Sequence, residues 1–183
     1  MALAMTEWRQ EDVSAFCNHI LKSASTINLC HTCGCFISGE DPNDCHNCQS
    51  RARLTADSTA SGSLSICVVE KPTDVLNIEK FRPFDGVFHV LGGKVSPAAG
   101  VDPEDLRIES LIEYTQKIRG AEVILALSSD VESEATIHYL KDRLSSIPGL
   151  RITRLARGLP AGSTLEHTDE LTLLQSMENR IEL

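Results

Sequence analysis

Four cysteines stand as two pairs, Cys30 with Cys33 and Cys45 with Cys48, in the pattern C-x2-C-x11-C-x2-C. A C-x2-C pair folds as a tight turn that aims two thiolates at one point. Two such turns give the tetrahedral sulfur set that zinc prefers. Four thiolates leave no open position for a substrate, so the chemistry is structural Zn2+ binding rather than catalysis. The stretch between the pairs holds Gly39, Asp41, Pro42, Asn43 and Asp44, all turn formers. Cys35, His31 and His46 lie in the same stretch, but their spacing fits less well and they read as bystanders. Four ordinary free thiols would need the paired spacing twice by chance.

A second set of residues suits oxygen chemistry. Glu70 directly follows "SICVV", and Asp130, Glu132 and Glu134 directly follow "EVILAL". Ligands of open α/β sheets bind at the carboxyl ends of strands. Spaced carboxylates there hold Mg2+ for phosphoryl chemistry. A plainer reading competes: Ser129 followed by Glu132 forms a capping box, and acids in a first helical turn complement the helix dipole. Glu70 beside Lys71 then reads as a solvated strand end.

Other catalytic signatures are absent. Gly92-Gly93-Lys94 is followed by Val95, so no Walker A sequence is formed, and no G-x-G-x-x-G or G-x-S-x-G occurs. His19, His89, His138 and His167 show no ligand spacing and read as core or surface residues. Cys67 in a strand and Cys17 on a helix face read as small packed hydrophobes.

The elements that position these groups follow from periodicity. Residues 9–25 read as a helix, with Val13, Phe16, Cys17, Ile20 and Leu21 recurring at helical spacing. "QSRARLTADSTASGS" reads as a linker. From Leu64, short apolar runs alternate with helical patterns. "LSICVV", "GVFHVL", "EVILAL" and "LRITRLA" read as strands. "KPTDVLNIEK" reads as a short helix. "VDPEDLRIESLIEYTQKIRG" reads as a helix capped by Asp102, with Pro103 in its first turn and Gly120 at its end. Its apolar stripe is Ile108, Leu111, Ile112 and Ile118. "VESEATIHYLKDRLSSI" reads as another helix, with Ile137, Leu140, Leu144 and Ile147 on one face. Apolar strands separated by helices imply a parallel sheet covered on both faces. A short helix is expected in the tail.

Composition narrows the function classes. Apolar residues make up 42% of the 183-residue chain, charged residues 23% and aromatics only 4%. The core must therefore come from Leu, Ile, Val and Ala. The formal charge of −9 opposes non-specific nucleic-acid binding, which needs clustered Lys and Arg. No run approaches the ~18 apolar residues of a membrane span. The start, "MALAMTEWRQED", is not a secretory signal, so the expected compartment is the cytoplasm, where clustered thiols bind metal rather than pair as disulfides.

The order of the motifs carries a resemblance. The four-cysteine loop precedes "ICVVEKPTDVLNIEK", then "HVLGGKVSPAAGVDPEDL", "VILALSSDVESEATIHYL" and "LARGLPAGSTLEHTDELTLLQSM". From about residue 10 to the C-terminus this resembles the bacterial recombination-mediator family RecR. The resemblance implies an α/β fold with an N-terminal helical segment (1–29), a four-cysteine zinc finger (30–48), a linker (49–63), a Toprim domain with a four-stranded parallel sheet (64–156), and a C-terminal region that closes an oligomeric ring (157–183). It implies a DNA-repair mediator, not an enzyme, working with RecF- and RecO-type partners to load recombinase at single-stranded gaps.

Toprim nucleases carry a glutamate after the first strand and D-x-D-x-E after the third. Here Glu70 matches the first, while Ser128, Asp130 and Glu132 fill the second. The metal set is one carboxylate short, which argues against the rival reading of a Mg2+-dependent nuclease. The resemblance instead implies a partner-facing surface at Glu70, Glu132 and Glu134. The "LPGIG"-type hairpin with which RecR proteins open is not seen in this sequence. Contact with DNA is therefore expected mainly through a complex and weakly alone; a truncated, partner-binding form is the remaining alternative.

Overall fold

The computed structural model describes residues 8–38, 45–50, 64–81, 84–118 and 120–181. Helix α1 spans Gln10–Thr26 and runs into a small antiparallel hairpin of β1 (Ile27–Leu29) and β2 (Phe36–Ser38). Residues 46–50 are helical. Most of the linker reading and the turn formers from Gly39 to Asp44 lie outside the described residues.

The expected alternation follows: β3 (Ser65–Val69), α2 (Pro72–Phe81), β4 (Val87–Val90), α3 (Ile108–Gln116), β5 (Glu122–Leu125), α4 (Val131–Leu144) and β6 (Arg151–Arg154). The four strands form one sheet in the order β4-β3-β5-β6, every pair parallel. A helix α5 (Glu170–Glu178) lies in the tail, capped by Asp169, whose carboxylate accepts from the Thr172 N–H.

Alternation along each strand divides the core in two. Ile66, Val68, Val87, Val123 and Leu125 pack with Leu111, Ile112, Leu140 and Leu144 of α3 and α4. Cys67, Val69, Phe88 and Val90 face the other way, onto Val75 of α2 and onto Cys30, Cys33, Cys35, Ile37 and Cys45. The cysteine loop is thus part of a layer that covers one sheet face.

Several local readings are corrected. The long helix expected from Asp102 is interrupted. Residues Pro103–Asp105 form a single 3-10 turn, tied by the Asp102 N–H to the Asp105 carboxylate at 2.9 Å. Leu106 is then extended and buried, and the Arg107 N–H reaches the Leu91 carbonyl, so α3 starts only at Ile108. Gly120 adopts φ +71° beyond the helix end. The α4 helix stops at Leu144, short of Ile147. Its cap is Asp130, not Ser129: the Asp130 carboxylate accepts from the Ser133 N–H at 2.9 Å. Cys17 is exposed, as no residue of α1 is buried. Cys67 is buried as expected, and burial pushes its thiol up to about 12. His89 is the core histidine, its Nε2 donating to the Arg107 carbonyl at 2.7 Å; the other described histidines are exposed.

Candidate functional site

The two C-x2-C pairs meet. The Cys30 and Cys48 sulfurs lie 3.6 Å apart and those of Cys33 and Cys45 3.4 Å apart. All four Sγ atoms fall within 4.8 Å of one another, the only such set of potential ligands among the described residues. Tetrahedral zinc with bonds of about 2.3 Å requires sulfur–sulfur edges of about 3.8 Å, so the four fit the ion. Three of them are buried and Cys48 is half-buried. Local turns set this geometry: the Gly34 N–H bonds the Cys30 carbonyl, the Cys30 N–H bonds the Cys35 carbonyl, and the Gln49 N–H bonds the Cys45 carbonyl. Cys35 is buried beside this set but is not one of the four, and His31 and His46 are exposed.

The carboxylates gather at the far end of the sheet, where β3 and β5 both terminate. Each has a different role. Glu70 is only 6% exposed. Its Oε1 accepts from the Ser128 N–H at 2.7 Å and from the buried Ser133 hydroxyl at 2.9 Å. Far from being a solvated strand end, it holds the β5–α4 loop against β3. Ser128, at the missing aspartate position, supplies a backbone donor where a metal site would want another oxygen ligand. Ser133 presents its hydroxyl inward.

Asp130 and Glu132 face a cation supplied by the chain. Lys94 Nζ lies 2.7 Å from Asp130 and 3.6 Å from Glu132. Hydrogen bonding by Lys94 and by the Ser133 N–H holds the Asp130 carboxyl down at about 2, and Asp130 in turn raises the Lys94 ammonium. Glu132 also accepts from the Ser96 hydroxyl, and the Val95 N–H donates to Thr136 Oγ1 at 3.0 Å. Three successive residues, Lys94 to Ser96, are therefore sewn to the first turns of α4. Glu134 pairs with Arg157 and, at 3.2 Å, with Arg154, which ties α4 to β6 and to the chain beyond it.

The structure thus brings Glu70, Glu132 and Glu134 to one edge, with Glu70 beneath and the other two on the rim. Sequence reasoning missed Lys94, Ser96, Arg154 and Arg157. The Gly92-Gly93-Lys94 run was visible, but only as a failed phosphate loop.

Comparison with known proteins agrees with this architecture. Residues 65–156 match the model of the Toprim domain, and residues 158–181 match that of the RecR C-terminal region. The Recombination protein RecR of Enterococcus faecalis (strain ATCC 700802 / V583) is 39% identical over 183 residues, which is 100% of this chain and 86% of that protein. On that identity and span, the chain belongs to the RecR family.

Proposed function

We propose that the chain is a cytoplasmic recombination mediator in DNA repair, a protein that works by binding partners, with one structural zinc held by Cys30, Cys33, Cys45 and Cys48. The observation that supports binding over catalysis is the filling of the carboxylate crevice. Lys94 supplies the positive charge between Asp130 and Glu132, and Glu70 is occupied by two protein donors. A hard divalent cation needs several free oxygen ligands, and this arrangement commits them already. The direct test is incubation of zinc-loaded chain with single- and double-stranded DNA in Mg2+ or Mn2+, where no cleavage is expected. Cleavage that disappears on Glu70→Gln would promote the nuclease reading.

The partner surface is the rim. Glu132 and Glu134 remain partly exposed, with side chains 47% and 32% accessible, and Glu70 supports them from below. A basic partner of RecO or RecF type is attracted by this edge of a chain whose net charge is −9. Rim charges act mainly on association rate and salt dependence. Glutamine is the right replacement, because lysine at 134 would face Arg154 and Arg157. Glu132→Gln with Glu134→Gln is expected to weaken a RecO-type partner several-fold at low salt, with less effect at high salt. Single-stranded DNA without a partner is expected to bind poorly at physiological salt. A partner indifferent to both substitutions, or tight DNA binding by the chain alone, moves the functional surface elsewhere. The tail exposes Leu171, Leu174, Met177 and Ile181, an apolar set suited to covering by a second copy in a homo-oligomer.

A further inference from the structure

The two edges of the sheet are finished in different ways. The β6 edge carries exposed Arg151 and Arg154, and charge on an edge strand discourages pairing with another chain. The β4 edge reads "VFHV", has no charge, and is buried along its whole length. No described strand flanks it on the side away from β3. What covers it is the cysteine module, and both halves of the four-thiol set take part. The Val90 N–H donates to the carbonyl of Cys33 at 2.8 Å. Asn47, between Cys45 and Cys48, pairs with both polar groups of Phe88: its Oδ1 accepts from the Phe88 N–H and its Nδ2 donates to the Phe88 carbonyl, each at 2.8 Å. The Asn47 amide therefore stands in for the peptide of a neighbouring strand. Gly34 makes the close approach possible. It has φ +76°, and a Cβ there would lie 2.8 Å from both Val90 Cβ and the Val90 carbonyl.

We propose that the cysteine module is a metal-dependent guard of the β4 edge, and that without the metal this edge pairs with a second copy of the chain. The inference rests on the zinc reading above. Two of the three bonds come from an asparagine held between ligands, and the third from a ligand's own carbonyl. Loosening the four-thiol set releases all three together. The strand then presents unpaired backbone groups on an uncharged, apolar segment, which is the template that edge-to-edge association uses. Covering an edge is a role distinct from completing a core, and it makes the metal a control on self-association.

Hydrogen exchange separates the two. In zinc-loaded Asn47→Ala the Phe88 amide is expected to exchange at least tenfold faster than in the unsubstituted chain, with zinc content unchanged and the β5 amides of Val123 and Leu125 as protected as before. Asn47→Asp keeps an acceptor for the Phe88 N–H but turns a second oxygen toward the Phe88 carbonyl, so its Phe88 amide should exchange at a rate between those of Asn47→Ala and the unsubstituted chain. In chelator-treated chain the Phe88 and Val90 amides should both open. Sedimentation should show concentration-dependent association beyond that of the loaded chain, reversed by added zinc. Zinc is quantified in every sample, so a chain that carries none defeats the zinc reading while the Asn47 comparison still reports on the edge. The guard role is overturned by an unchanged Phe88 amide in Asn47→Ala, by stripped chain that associates no further, or by β4 and β5 losing protection together.

Discussion

Cys33→Ser should reduce zinc from one equivalent per chain to under half and lower the melting temperature by roughly 6–20 °C. Zinc contributes on the order of 10 kcal/mol to the folding of small modules that have little core of their own. Here the module is not alone. Cys30, Cys33, Cys35 and Cys45 share a buried cluster with Cys67, Val69, Phe88 and Val90, so part of the loss is retained by packing. A net loss of about 3–5 kcal/mol, at about 2–4 °C for each kcal/mol in a chain of this size, gives the expected shift. Cys33 is the most informative ligand because it is fully buried and its carbonyl also holds Val90. Cys35→Ser is the matched control. Cys35 is as secluded as the ligands but lies outside the set of four, so zinc should stay at one equivalent. Zinc lost on changing Cys35 would mean that the ligand set is wrongly drawn. A melting temperature untouched by Cys33→Ser would mean that the module hangs on the sheet without supporting it.

How far the sequence disclosed all this depends on the range of each interaction. The sheet was legible because its strands are apolar throughout and the intervening stripes repeat at helical spacing. The four thiols were legible because each pair is local and zinc chemistry fixes their number. The three-residue strands Ile27–Leu29 and Phe36–Ser38 were not, since neither is long enough to show alternation. The break before α3 escaped because Leu106 leaves the helical path to enter the core, a demand that capping residues do not announce. The α4 cap was misplaced by one residue, since Ser129 and Asp130 are both good caps and only the fold chooses. Lys94 and Asn47 were out of reach altogether. Their partners lie 36 and 41 residues away, and nothing local in a lone lysine or asparagine names them. Glu70 was singled out as a metal-binding or partner-facing acid, with a solvated strand end beside Lys71 as the plainer alternative. Its burial excludes the solvated reading, and its bonds to Ser128 and Ser133 add a loop-closing role that no local signal announced.

That role of Glu70 has a large and specific consequence. Glu70→Leu should destabilise the chain by about 2–6 kcal/mol, because two donors are left unpaired in a buried place at about 1–3 kcal/mol each. Those donors are the Ser128 N–H and the Ser133 hydroxyl, and Ser133 is fully buried. Leucine is somewhat bulkier than glutamate and branches one carbon earlier, so part of this loss is packing, and the near-isosteric Glu70→Gln is the control that separates the two. Glu70→Gln keeps an oxygen in place and gives up only the charge, for about 1 kcal/mol. Ser133→Ala removes one donor and leaves the carboxylate bonded to Ser128, so it too should be mild. The ranking Leu far worse than Gln, measured by denaturant unfolding with DNA cleavage assayed alongside, belongs to a loop-holding carboxylate. A metal-ligating carboxylate ranks otherwise: glutamine would abolish cleavage while stability stayed level or rose, since a repulsive charge is removed from a cluster that already holds Asp130 and Glu132. If Glu70→Leu unfolds within about 0.5 kcal/mol of the unsubstituted chain, a spread typical of neutral surface changes, the carboxylate does not hold the β5–α4 loop. In that case the proposal that Glu70 supports a partner-binding rim at Glu132 and Glu134 loses its basis.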